Sequence, residues 1–201
     1  MSYPGLKSAD AFGLAMAIQL VTFIIAAACL YFGEVAVSWW DTGAALSLAL
    51  GLLGALLSYA LILGLTRSPT TIGVQLRALC GALHPFFRGF SWFQITTAAL
   101  AAGFCEELLF RGFVQPWLQG VSSPAIAILV TAVAFGLLHY GSFVYFAIAT
   151  GIGVVLGATY WLSHSLLLVI TWHAVYDLIA IAALARFPRS LGIPVSEESV
   201  K

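Results

Sequence analysis

Residues 91–118 read SWFQITTAALAAGFCEELLFRGFVQPWL. The stretch exceeds the roughly 20 mostly apolar residues that a membrane-spanning helix needs. It nevertheless carries three ionisable side chains, Glu106, Glu107 and Arg111. Each costs roughly 2.5–3.5 kcal/mol at the bilayer centre on insertion scales, and helix formation alone offers nothing to offset that. Charged groups in such a helix face the interior of a bundle and are functional candidates by default. The segment therefore predicts further apolar helices around it.

The rest of the chain supplies them. Of 201 residues, 62% are hydrophobic and 8% are charged, with a mean hydropathy of +1.03. A soluble domain carries about 25% charged residues, so lipid is the solvent for most of this surface. The formal net charge is zero, which gives no electrostatic case for nucleic acid as a partner. Cys29, Cys80 and Cys105 form no CxxC pair and sit in apolar stretches; they read as small core residues.

Apolar runs over Ala11–Phe32, Thr42–Leu65, Ser91–Leu118, Ser123 to about Tyr140, Phe143–Leu162 and Leu166–Ala185 predict six spans. Gly33–Asp41, with two acids and two tryptophans, suits an interface. Thr66–Arg77, with Pro69 and Gly73, reads as a loop. Ala78–Phe90, short and flanked by Arg77 and Arg88, reads as an interfacial helix. Ser122-Ser123-Pro124 is a helix-start signal. The expectation is an all-α polytopic bundle, one domain over 1–201. Residues 1–90 form a two-helix extension with a basic loop, 91–185 a four-helix core, and 186–201 a loose tail. Lys7 ahead of an apolar run, with Ala26-Ala27-Ala28-Cys29 inside it, faintly resembles a cleaved leader. The run continues through Phe32, so a retained first helix is expected. Lys7, Arg67, Arg77, Arg88, Arg186 and Arg189 all fall on one side of a six-span topology. The positive-inside rule makes that side cytoplasmic, with both termini inside.

From Gly112 to Val175 there is no Asp, Glu, Lys or Arg. Glu107 and Arg111 are four residues apart and can pair, whereas Glu106 is turned about 100° away. A carboxylate in an apolar setting with no cation on its own helix is the better general base. This assigns chemistry to Glu106 and architecture to Glu107 and Arg111; the competing reading is one structural network of all three. His139 ends one span, and His173 and Asp177 lie four apart on the last. His84 and His164 read as boundary residues. The two inner histidines differ in depth by roughly 12 Å at 1.5 Å per residue, an offset that must be absorbed if they share one site. Cys105 beside Glu106 offers a cysteine–histidine alternative.

Glu-Glu-x-x-x-Arg at Glu106–Arg111, Phe-x-x-x-His at Phe135–His139 and His-x-x-x-Asp at His173–Asp177, in that order on successive spans, resemble the CPBP family. These are the CAAX-protease and bacteriocin-processing intramembrane endopeptidases, also called the Abi family. The resemblance covers about residues 91–185; the first two helices carry none of it. It implies that Glu106 activates water, that His139 assists, and that His173 and residue 177 stabilise the oxyanion. Glu107 and Arg111 would hold the site together. Many relatives have Asn where this chain has Asp177, and an ionised carboxylate cannot donate; the alternatives are that Asp177 orients His173 or sits neutral in its apolar surroundings. No cofactor is favoured. A zinc ion, if used, would take Glu106, His139 and His173, though HExxH is absent. The implied partner is a membrane-anchored protein or peptide, of CAAX type or a bacterial sorting or bacteriocin-type precursor. Composition leans to a bacterial inner membrane, and hence toward the sorting or bacteriocin-type substrate class. The competing class is a non-enzymatic immunity or scaffold protein, or a small proton-coupled transporter using the same charges.

Overall fold

A computed structural model describes residues 8–193; Lys7 and the end of the tail lie outside the described residues. Among those described, all regular structure is helical: α1 (Ser8–Gly33), α2 (Ala44–Arg67), α3 (Thr71–Phe87), α4 (Trp92–Glu107), α5 (Gln115–Gln119), α6 (Pro124–Leu138), α7 (Phe143–Ser163) and α8 (Leu166–Arg186). A π-helical segment, Leu108–Val114, joins α4 to α5, and a 3₁₀ turn spans Pro188–Leu191. Five runs are long and apolar enough to cross a membrane, with Trp92–Gln119 counted as one. The protein is a multi-pass membrane helix bundle.

Helix starts follow local chemistry. Ser91 accepts from the Gln94 backbone N–H while the Gln94 side chain accepts from Ser91, a reciprocal capping box. Ser123, Ser142 and Ser165 cap α6, α7 and α8 in the same manner with one bond each.

Four expectations change. The loop expected over Thr66–Arg77 shrinks to three residues, because the Thr70 hydroxyl accepts from Gly73 N–H and starts α3 there. Gly73 sits against the Ser68 carbonyl, where no side chain fits, so it marks a close approach rather than a break. The fourth expected span, α6, has 15 residues, roughly 22 Å at 1.5 Å per residue. That is shorter than a hydrocarbon core of about 30 Å. The third span is not uniform, since its π-helical segment carries Arg111. The tail is not loose at its start: Leu191 and Ile193 are buried against Tyr59, Leu63, Cys80 and Leu83.

Helix α8 packs along both α4 and α2, and α7 along α6. The α4–α8 contact is close at Gly103, where an added Cβ would lie 2.6 Å from the Ala174 backbone nitrogen. Gly103→Val is expected to push the helices apart and cost about 1–3 kcal/mol, as overpacking does; thermal unfolding in detergent checks this.

The two ends of the bundle differ in charge. Arg77 donates to the carbonyls of Thr66 and Ser68, and Arg186 to that of Phe90. The end of α2, helix α3, the start of α4 and the end of α8 therefore meet with Arg67, Arg88 and Arg189. Phe12 packs edge-on against Phe90, which brings the start of α1 to the same end. The opposite end holds Glu34 and Asp41, and its 34–43 segment pairs with the start of α8 through Leu166 N–H to Ser38 O and Leu167 N–H to Trp39 O.

Candidate active site

Ala98, Ala102 and Glu106, spaced by four on α4, line a cavity of about 390 Å³. His139, His173 and Asp177 line it as well. Glu107 and Arg111 do not: both are 0% exposed, whereas the Glu106 side chain keeps 14%. The 100° step between adjacent helical residues thus separates an accessible carboxylate from a sealed one.

Glu107 Oε1 accepts from two donors, Arg111 Nη1 at 2.7 Å and His173 Nδ1 at 2.9 Å. Arg111 also donates through Nη2 to the Gly153 carbonyl at 2.9 Å, and its guanidinium lies 4.8 Å from the Phe135 ring centroid. One turn further on, Gln115 donates to the Gly157 carbonyl at 2.9 Å. The π-helical segment and α5 therefore hold α7 by two rungs, four residues apart on each helix.

His139 is the C-cap of α6. Its Nδ1 lies 2.9 Å from the Phe135 carbonyl. A carbonyl only accepts, so Nδ1 carries the hydrogen, which leaves Nε2 as an acceptor in the neutral ring. Nε2 stands 3.5 Å from Glu106 Oε2, too far for a direct hydrogen bond. That oxygen is buried without a protein partner. Two acceptors at this separation suit a shared water. The other Glu106 oxygen accepts from Gln19 Nε2 of α1 at 2.8 Å. His173 Nε2 lies 3.5 Å from Asp177 Oδ2.

The depth offset between the histidines is absorbed. Phe135 touches both, with its ring centroid 4.3 Å from that of His139 and 5.7 Å from that of His173. Helix α6 is short and ends at His139, level with the eighth residue of α8. Cys105 is buried and away from the cavity wall, which separates it from both histidines. Cys80, on α3, does line the cavity; burial pushes its thiol up, so it stays protonated and poorly nucleophilic. His84 does more than mark a boundary, since its Nδ1 bonds the Leu184 carbonyl near the end of α8 at 2.7 Å. His164 ends α7 in a left-handed conformation.

Among the described residues no three His, Cys, Asp or Glu side chains converge to hold a metal ion. His173 donates Nδ1–H to Glu107, the usual outer partner of a ligating imidazole, so a zinc ion held with Glu106 and His139 would be taken by its Nε2. Sequence reading missed Gln19 and Tyr145. Gln19 had a signal, as the one amide in the first apolar run. Tyr145 had none, yet its ring lies 6.4 Å from that of His139.

The fold and the site define a class: a multi-pass membrane protein with carboxylates and histidines gathered around a buried cavity. Residues 88–179, just under half of the chain, match the family model described as type II CAAX prenyl endopeptidase Rce1-like. Over this segment the chain is similar to the CAAX-protease, or CPBP, family, a likeness that supports a membrane-embedded endopeptidase at the family level. Searches of curated proteins and of solved structures gave no match.

Proposed function

We propose that the protein hydrolyses a peptide bond of a membrane-anchored substrate with water activated by Glu106 and His139, without a metal ion. The observation that carries this reading is the unpartnered Glu106 Oε2 facing His139 Nε2 at 3.5 Å inside the cavity. A water bound between them attacks the substrate carbonyl carbon as its proton passes to Glu106. The oxyanion forms beside His173, which donates from Nε2 when its ring carries both hydrogens and Nδ1–H is held by Glu107. Collapse breaks the C–N bond, and the Glu106 proton goes to the leaving amine. Water is consumed, leaving a carboxyl and an amine. Glu107 and Arg111 hold His173 and α7 in place.

The direction of the cavity bears on the substrate. It runs from Glu106 toward Thr66, Leu76 and Leu191, at the arginine-bearing end. By the positive-inside rule that end, and both termini, face the cytoplasm, and composition leans to a bacterial inner membrane. A CAAX-type C-terminus reaches such a site from the cytoplasm, and this supports it over a sorting or bacteriocin-type precursor.

The test compares protein C-termini in membranes of cells expressing wild type or Glu106→Gln. New C-termini confined to wild type support the reading and name the substrate. Matching profiles from two folded, abundant proteins would move the transporter or scaffold reading ahead. Asp177→Asn supplies a neutral donor and is expected to retain cleavage. Asp177→Leu removes the carboxylate beside His173 Nε2 without supplying a donor and is expected to slow cleavage more than Asp177→Asn does; initial rates on the identified substrate check both.

A further inference from the structure

Helix α1 lies outside the segment that matches the family, yet one of its side chains enters the site. Gln19 Nε2 donates to Glu106 Oε1 at 2.8 Å. The orientation of the amide follows from its partner, because a carboxylate only accepts and the opposite flip would set two acceptors together. The Gln19 carbonyl oxygen is buried without a partner, and Gln19 lines the same cavity as His139. Thr22, three residues further on, bonds its own helix at the Ile18 carbonyl. Helix α1 is seated so that this contact is specific: Phe23 packs 6.3 Å from the Phe104 ring, and Ala26 is buried in one cluster with Leu108.

We propose that Gln19 is a positioning residue for peptide hydrolysis, an inference that rests on Glu106 being the base. By holding Oε1 it fixes the carboxylate plane and directs Oε2 at His139 and the water between them. A lysine or arginine here would pair with the carboxylate and weaken it as a base; a neutral amide orients it with far less of that effect. The base is thus set by a helix beyond the matched segment, so that segment alone does not complete the site.

The test uses the full-length protein in proteoliposomes and a quenched, farnesylated CAAX peptide. Where wild type leaves that peptide intact, the substrate named by the new C-termini replaces it. Gln19→Met is expected to lower kcat about ten- to a hundredfold, the size of a hydrogen bond to a charged group, with KM little changed. Gln19→His, which keeps a donor at similar reach, restores most of the loss. In a Glu106→Asp background, where the carboxylate is withdrawn by one methylene, Gln19→Met costs much less; such non-additivity marks action through Glu106. Should Gln19→Met not fold, Gln19→Asn carries the same expectation. Fully additive losses, or wild-type kcat in Gln19→Met (in Gln19→Asn where Met does not fold), overturn the proposal while leaving Glu106 as base. Full activity of Glu106→Gln, or no cleavage by wild type of any substrate, overturns the reading beneath it and the proposal too.

Discussion

Arg111→Met is expected to destabilise the protein by about 3–5 kcal/mol, the usual consequence of stranding one partner of a buried ion pair. The side chain is fully buried, with Glu107 at 2.7 Å, the Gly153 carbonyl at 2.9 Å and the Phe135 ring beneath it. Methionine fills much of the volume but supplies no donor. Glu107 would keep only His173 Nδ1, and the α7 carbonyl would lose its partner. Glu107→Gln leaves Arg111 equally uncompensated, and a loss of similar size is expected. The pair replaced together by apolar residues should cost less than either single change, because no charge remains stranded. Unfolding of the purified protein in graded detergent denaturant, read by tryptophan fluorescence and helicity, measures all three. Single variants as stable as wild type would show that the network contributes nothing to the fold.

Glu106→Gln has the opposite signature. The turnover number is expected to fall about 10²–10⁴-fold, the range assigned to general acid–base catalysis, with stability unchanged or slightly raised. The reason is again positional. Glu106 keeps partial exposure to the cavity, and its partners are a neutral amide and a histidine at 3.5 Å, so its neutral replacement strands no buried cation. Two adjacent carboxylates should thus divide cleanly, one governing rate and the other fold. Equal effects of Glu106→Gln and Glu107→Gln on stability would contradict that division. Retained turnover in Glu106→Gln would remove Glu106 from the chemistry. Both are read from single-turnover kinetics and unfolding on the same preparations.

That the two glutamates face different surroundings was legible before any coordinates, because adjacent residues on a helix must face about 100° apart and only Glu107 has an arginine four residues on. The pairing of Glu107 with Arg111 followed from the same periodicity. What Glu106 faces did not: Gln19 is 87 residues distant in the chain, and no local rule links them. Likewise His173 was paired on paper with Asp177, its i,i+4 neighbour. Its close partner is Glu107, reached because α4 and α8 approach at Gly103 and Ala174.

The sequence by itself determined the solvent, the helical class, most helix starts and the four residues of the cavity that carry charge or imidazole. Hydropathy, capping serines and intramembrane cost are local or compositional properties, and so they are readable along the chain. Tertiary structure alone decided the short α6, the π-helical segment under Arg111, the burial of Leu191 and Ile193, and the arrival of Gln19 at Glu106. Those depend on where helix ends are staggered and which backbones come close. The 12 Å offset between His139 and His173 shows why: counted from helix starts it separates them, and the staggered starts of α6 and α8 remove it, so that both rings rest on Phe135.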